Sequence, residues 1–403
     1  MFIPAPFFRC FVKQGTLRVI DAEGGEHVYG ETDYPQCTIK LHRKGMYLPL
    51  ILAPYNAIGE GYMNGTFTVE KGTIDDFLLI FVYNQVRVRK FPTIALFRRF
   101  FSICDFLLQH NPIGKAEKKV AHHYDISNEL YRLFLDKDMQ YSCGYFKDLG
   151  NTIEAAQQDK KNHIMRKLKL AQGLRVLDIG CGWGGLAMDM ARTYGVHVTG
   201  VTLSQQQFDL ARERVRAEGL EDKVDIRLLD YRLLDGTYDR IVSVGMFEHV
   251  GKLHYEEFFR KTNELLDDNG VMLLHSIGHV RPVPVSNPWV EKYIFPGAYI
   301  PALSECVAHV EAAGFWMTDV EIWRRHYSYT LKAWKERFRA NRAEVLRIKN
   351  EVFFRMWEMY LSGFEMAFMD GELMVFQMQL AKNNHALPLT RDYMYAPTEP
   401  FEG

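Results

Sequence analysis

The sequence is short of cysteine and of long apolar runs, and each shortage argues against a class of protein. Its six cysteines, Cys10, Cys37, Cys104, Cys143, Cys181 and Cys306, are scattered, with no CxxC pair. That pattern speaks against a disulfide framework or a zinc site and for a reducing compartment, the cytoplasm. The most apolar stretches, near Tyr47–Ala53 and Phe77–Tyr83, fall far short of the roughly 20 residues a spanning helix needs. An excess of either charge is missing too. Lys and Arg number 49 against 50 Asp and Glu, a net charge of −1, so there is no basic surplus to hold nucleic acid. Attraction to an anionic surface must then come from local patches. The opening Met1–Arg9 has no basic segment leading into an apolar core, so it is not read as a signal peptide. Apolar residues are plentiful, at 47% of 403, enough for a core and for two domains.

The stretch Arg175-Val-Leu-Asp-Ile-Gly-Cys-Gly-Trp-Gly-Gly-Leu-Ala187 organises the rest. Val176, Leu177 and Ile179 suit a strand covered on both faces. Gly180, Gly182, Gly184 and Gly185 permit a tight turn whose N–H groups approach a ligand, and Leu186–Tyr194 reads as a helix. Strand, turn and helix open a doubly wound sheet whose ligand lies beyond the strand's carboxyl end; a ligand-free tight turn is the plain alternative. A dinucleotide site would put a carboxylate after the second strand. Here that strand, Val196–Val201, leads into Thr202-Leu-Ser-Gln-Gln-Gln207, and hydroxyls and amides must serve instead. With Asp178 ahead of the glycines, this favours S-adenosylmethionine over NAD and gives the fold class: α/β, a class I methyltransferase with a doubly wound Rossmann-like sheet.

Residues 1–90 read as a smaller α+β accessory domain for dimerisation or substrate docking. Strands are expected at Thr16–Asp21, Glu26–Glu31 and Cys37–Leu41, and helix from Ile74. Residues 91–120 form a basic and aromatic linker; with Arg87, its mixed cations and large apolar groups suit either a lipid interface or an ordinary amphipathic helix. Residues 121–385 form the catalytic domain, with Ser127 as a helix cap. Further strands are read at Val224–Leu229, Arg240–Val244, Val271–Ser276 and Trp316–Trp323, and a long helix at Tyr329–Asn350. Val280–Pro288 and Trp289–Pro296 make a candidate lid or tunnel wall. Phe353–Leu380, rich in Phe, Met, Trp and Tyr, lines an apolar cavity or packs on the sheet. Residues 386–403 are expected to be a loose tail.

Three places carry candidate chemistry. Asp230 and Tyr231 end the third strand of the doubly wound sheet, where Tyr231 can stack on an adenine and Asp230 can accept from its amino group; a surface turn is the alternative. Glu248 and His275, at the ends of the next two strands, open onto the same crevice and suggest proton handling or the holding of a small ion. A capping Glu248 and a satisfied core His275 are the alternatives. Cys143 has no neighbouring His pattern to activate it, so an inert buried thiol competes with a nucleophile.

With these in view, residues from about Ile58 to Leu380 resemble the cyclopropane fatty acid synthases and, more distantly, the mycolic acid cyclopropane synthases. The resemblance rests on HYDISNELYRLFLD, MQYSCGYF, VLDIGCGWGGLA, VTGVTLSQQQ, DRIVSVGMFEHVG, LLHSIG, NPWVEKYIFP and YTLKAW. It implies that Tyr141, Ser142, Gly180, Gly182, Thr202, Gln207 and Tyr231 contact S-adenosylmethionine. It also implies that Cys143, Glu248, His275, Ile277 and Tyr327 form a bicarbonate pocket, with no metal. Gly144 departs from the pattern, since Ala is commoner there. The implied reaction transfers a methylene from S-adenosylmethionine across a cis double bond of unsaturated phospholipid acyl chains. Bound bicarbonate would remove the proton, the partner would be the inner face of the membrane, contacted peripherally, and a homodimer is open. Methylation without ring closure, a small-molecule methyltransferase and a silent lipid binder are the competing readings.

Overall fold

The computed structural model describes residues 3–90, 127–283 and 287–395. The linker 91–120, the stretch 121–126, the loop residues 284–286 and the last residues 396–403 lie outside them, so the expected lipid-interface stretch is not described beyond residue 90. Among the described residues no helix is long and apolar enough to cross a membrane.

The chain divides into two compact units, and the division does not follow the order of the sequence. Of the described residues, one takes those up to 90 together with 287–296 and 331–372; the other takes 127–283, 297–330 and 373–395. In the first unit, β1 (Thr16–Ile20), β2 (Glu26–Tyr29), β3 (Gln36–Leu41) and β4 (Phe67–Lys71) form a sheet in the order β2-β1-β3-β4. Alternation sets its faces: Leu17 and Val19 of β1 and Cys37, Ile39 and Leu41 of β3 turn inward, every second residue as the pleat requires. The β1–β2 turn is closed by Asp21, whose carboxylate accepts from the N–H of Glu23 at 2.9 Å and of Gly25 at 2.8 Å and meets His27 at 2.8 Å.

Over this sheet pack the helix Ile74–Lys90 and distant segments. The aromatic helix Glu351–Met369 lies against Pro54–Met63 and Ile74–Lys90, burying Trp357 fully and stacking Phe354 on Phe338 at 5.0 Å. That part of the aromatic-rich stretch is thus core of the first unit. The candidate lid is a short helix, Pro288–Tyr293, capped by Asn287. Its Trp289 lies over Gly59 with Nε1 3.4 Å from Met63 Sδ, and Lys292 pairs with Glu60 at 2.8 Å. Beneath, Lys335 bridges Asp75 (2.8 Å) and Glu365 (2.5 Å). The expected long helix is two: His326–Ala340 and Arg342–Ile348. Asn341 breaks it, its amide turning back to the carbonyl of Arg337 at 3.1 Å, the local competition that makes Asn a poor interior helix residue.

The second unit is a seven-stranded sheet: β5 (Arg175–Ile179), β6 (His197–Thr202), β7 (Val224–Leu228), β8 (Tyr238–Val244), β9 (Leu266–His279), β10 (Trp316–Trp323) and β11 (Leu373–Ala381), in the order β10-β11-β9-β8-β5-β6-β7. β5 to β9 run parallel, and β11 lies antiparallel between β9 and β10. The chain winds outward from β5 in both directions, and at such a reversal the connections part and leave a crevice. Leu177, Ile179, Ile241, Met272 and Leu274 pack on Phe258 and Phe259 on one face. Val176, Val198, Val242 and Leu273 meet Ile164, Met165, Ala187 and Met190 on the other. The expected tail is docked as far as residue 395: Arg391 pairs with Asp319, Tyr393 accepts from Gln379 at 2.8 Å, and Met394 is buried.

A Cβ at Gly59 would come within 2.2 Å of the Trp289 indole. Gly59→Ala should therefore destabilise the first unit by about 1–3 kcal/mol despite better helix propensity. Its unfolding transition in urea is the measure, and Gly59→Ser should behave alike.

Candidate active site

β5 ends at a turn that only glycine fills without strain. Gly180, Gly182 and Gly184 have φ of +83°, +56° and +79°, in the left-handed region. The N–H groups of Gly180 and Cys181 both donate to the Val201 carbonyl, at 2.9 and 3.0 Å, which ties the turn to β6. A Cβ on Gly180 would strike Met246 at 2.8 Å, and one on Gly185 would strike Asp138 and Gln140 at 2.5 Å, whereas one on Gly182 would meet nothing within 4 Å. The turn is packed from two sides and open at Gly182.

Around it the cofactor candidates take definite places. Asp178 is buried and its Oδ2 has no hydrogen-bond partner among the described groups; burial pushes its pKa up to about 7 against the pull of Lys160. Thr202 donates to Gln207 Oε1 at 2.8 Å and accepts from the Ser204 N–H at 3.2 Å. Hydroxyl and amide thus stand where a dinucleotide fold has its carboxylate. Asp230 is buried and clamped by Arg232, at 3.0 Å from Nε and 2.6 Å from Nη2, and it caps the turn Tyr231–Leu233. Its carboxylate is thus already engaged by an arginine that the sequence reading passed over. Tyr231 is half-buried, edge-on to Phe258 at 5.6 Å.

Tyr141 and Ser142 belong to a segment held by a buried polar scaffold. Asp136 accepts from the N–H of Gln140 at 2.8 Å and of Asp138 at 3.1 Å. Lys160, fully buried, donates to Gln140 Oε1 at 2.7 Å and Ser142 Oγ at 2.8 Å, and Gln157 donates to the Ser142 carbonyl at 2.9 Å. Burial pulls the Lys160 ammonium down to about 8, with Asp136 opposing. Ser142 Cβ lies 3.9 Å from where a Cβ of Gly245 would be, just past β8. Tyr141 rests edge-on against Tyr131 at 5.2 Å, and Tyr131 against Trp183 at 5.0 Å. Lys160 was legible in principle: it sits four residues from Ala156 and from Ile164, both on the buried face of the helix Ile153–Lys167.

Of the five pocket candidates, Glu248, His275 and Ile277 meet on β9, while Cys143 and Tyr327 lie on a segment and a helix bonded to each other. Glu248, in the turn Phe247–His249, accepts from the Ile277 N–H at 2.6 Å through Oε1. It therefore bridges to the next strand rather than capping its own turn. Its Oε2 has no partner among the described groups, and burial pushes its pKa up to about 7. His275, two residues before Ile277, is buried with Nδ1 3.0 Å from Gln377 Nε2 and its ring edge-on to Trp323 at 5.1 Å. Burial, then Lys160 and Lys167, press its pKa down to about 3, so it is neutral across the physiological range. Cys143 is fully buried and donates to its neighbour's carbonyl at 3.4 Å. Burial raises its pKa well above the usual thiol value, so it is a thiol and not a nucleophilic thiolate. Tyr327, also buried, lies on the helix His326–Ala340. Two hydrogen bonds hold that helix to the Cys143 segment: Gly144 N–H to Thr330 Oγ1 at 2.9 Å, and Phe146 N–H to His326 Nδ1 at 3.0 Å. An alanine Cβ at Gly144 would sit 3.2 Å from Ala156, close but requiring only a slight shift.

The buried carboxyl has a consequence for stability. Glu248 ionises near 7 in the folded chain against an ordinary 4.5, so its contribution is fully present below 4.5 and is lost as pH rises through 7. Glu248→Gln has nothing to ionise. Its melting temperature relative to the parent should therefore climb as pH goes from 4.5 to 7.5; a constant difference would show that Glu248 is ionised throughout.

A family model described as mycolic acid cyclopropane synthetase matches residues 113–378. The chain is 43% identical over 287 residues to a probable fatty acid methyltransferase of Pseudomonas putida, covering 68% of this chain and 73% of that protein. It is 44% identical over 260 residues to the cyclopropane-fatty-acyl-phospholipid synthase of Escherichia coli K12, covering 64% of this chain and 66% of that one. The solved structure of mycolic acid cyclopropane synthase CmaA1 complexed with SAH and CTAB matches with a TM-score of 0.63 at 33% identity, over 68% of this chain and 99% of that chain. Matched sequence, parallel sheet and glycine turn agree: the chain belongs to the mycolic acid cyclopropane synthetase family and is an S-adenosylmethionine-dependent methyltransferase of the class I α/β fold.

Proposed function

We propose that this chain is a cyclopropane-fatty-acyl-phospholipid synthase that uses bicarbonate as its base. The observation that carries this reading is the Glu248–Ile277 bridge: a buried carboxyl fixed by one oxygen, with the other unpartnered among the described groups, on the strand that holds a neutral buried histidine. A buried polar atom left without a partner costs about 1–3 kcal/mol, so an arrangement like this suits a ligand that supplies the missing hydrogen bond. Bicarbonate fits, because its hydroxyl can share a proton with Glu248 Oε2 while its other oxygens accept from His275, Tyr327 and the Cys143 thiol.

The donor fits the other half of the crevice. The unpartnered Asp178 Oδ2 suits a cationic amino group, and the open side of Gly182 lets backbone N–H groups meet a carboxylate. S-adenosylmethionine supplies an electrophilic methyl group when bound, and bicarbonate supplies a base in a dry site. On the acyl chain the π pair of the alkene would form the new carbon–carbon bond to the methyl carbon as its bond to sulfur breaks, the released pair staying on the sulfur of S-adenosylhomocysteine. The cation left behind loses a proton from the new methyl group, and the freed C–H pair closes the ring. The protein's own part is to hold both small molecules in line, worth several kcal/mol of entropy, and to keep water out. Loss of a chain proton would instead give a methyl-branched alkene, and a hydride shift before loss of a methyl proton would give a methylene-branched chain; a relative described as a probable fatty acid methyltransferase makes methylation without ring closure the second reading.

Work at the cytoplasmic face of the membrane completes the proposal. The described cysteines are all free thiols. The helix Tyr47–Leu52 of the first unit exposes Leu48 and Leu52 at 60% and 50%, just after exposed Arg43 and Lys44, a pairing of apolar and cationic groups that suits a lipid surface.

Expression in a host with monounsaturated phospholipids should add one CH₂ per modified chain, resistant to hydrogenation; a reducible product would replace ring closure with the second reading. Glu248→Gln should lower turnover by about a hundredfold or more while S-adenosylmethionine binding stays nearly unchanged, and a fully active variant would overturn the mechanism. Replacing Leu48 and Leu52 together by Asp should weaken sedimentation with anionic vesicles; unaltered sedimentation would remove this helix from the membrane contact.

A further inference from the structure

β9 and β11 pair so that His275 and Gln377 stand directly opposite, and Gln377 is opposite Glu321 of β10. Residues opposite one another share a face of the sheet. Across three strands the row therefore reads Glu321, Gln377, His275. Glu321 is taken up by His163 at 2.7 Å and by Lys167. Gln377, with no exposed surface, meets His275 Nδ1 through its amide nitrogen at 3.0 Å, and its Oε1 has no partner among the described groups.

The usual device for orienting a working histidine is a carboxylate or carbonyl that accepts from Nδ1–H, which leaves the other nitrogen as a bare acceptor. That device would fail here, because a lone pair aimed at an anion repels it. An amide can donate instead. With Gln377 Nε2–H pointing at Nδ1, the one proton of the neutral ring must lie on Nε2, which then offers N–H to whatever sits beyond it. The reversed amide would give Nδ1–H and turn a lone pair toward the anion.

We infer that Gln377 is a positioning residue that locks His275 in the Nε2–H tautomer, so that the ring meets the pocket as a hydrogen-bond donor. The donor's role rests on the bicarbonate reading above; the tautomer does not. Glutamine suits the place for a second reason. A carboxylate beside Nδ1 would draw a proton onto that nitrogen, and Gln377 keeps a neutral group between the ionic Glu321 cluster and the ring.

The test is nitrogen NMR of the full-length protein carrying ¹⁵N-labelled histidine, with the signal of interest assigned by its loss in His275→Gln. The parent should show Nδ1 bare and Nε2 protonated at neutral pH. Gln377→Glu should move the proton from Nε2 to Nδ1. It should also raise KM for bicarbonate by about ten- to a hundredfold, the loss expected for one hydrogen bond to a charged group, with KM for S-adenosylmethionine unchanged. Should Gln377→Glu fail to fold, Gln377→Met removes the donor without adding charge and should raise the same KM. A parent protein with Nδ1 protonated, or a Gln377→Glu variant with the parent's spectrum and kinetics, overturns the inference. If the tautomer shifts as expected but parent turnover ignores bicarbonate in carbonate-free buffer, the lock stands and the bicarbonate assignment falls.

Discussion

The pairing of β9 on both its edges governs the site. β8 holds it in parallel register from one side and β11 in antiparallel register from the other. Its residues thereby set His275 against Gln377 and offer the Ile277 N–H to Glu248. Because side chains alternate, a one-residue slip would send His275 to the opposite face. The slip is prevented by the same burial that makes the strand apolar: Val271, Met272, Leu273 and Leu274 are all fully buried, on both faces. Packing thus places the polar atoms.

Burial also sets their protonation. Cys143, Asp178, Glu248 and His275 are each driven toward the neutral form by desolvation, while Lys160 remains the buried amine whose charge reaches Cys143, Asp178 and His275. Neutral groups can surround an anion without repelling it and a sulfonium without neutralising it. The crevice needs that property if a cationic donor and an anionic base are to sit within one small volume.

Much of this was legible in the chain. The glycine turn, the parallel strands and the helices between them carry local signals, and Glu248 follows from its place just past β8; His275, level with the end of β8, lies inside the longer β9. β11 was not legible. Leu-Met-Val-Phe-Gln-Met-Gln-Leu-Ala is buried at nearly every position, so it shows no alternation and merges with the aromatic helix before it. Missing β11 meant missing Gln377. Lys160 was hidden for the opposite reason, a charged residue on a face that burial patterns reserve for apolar ones. The grouping of residues 331–372 with the N-terminal unit depends on contacts across hundreds of residues, which no local pattern records.

β11 carries one more consequence, for the order in which the protein comes into being. The strands of the glycine turn and the crevice, β5 to β9, are complete by His279, but the partner that orients His275 lies almost a hundred residues later. Domains form as the chain emerges, so a growing polypeptide can hold its nucleotide-binding half well before its sheet is closed. The cell would then carry no half-made chain with an assembled pocket. Assembly of the site waits for the last strand to leave the ribosome.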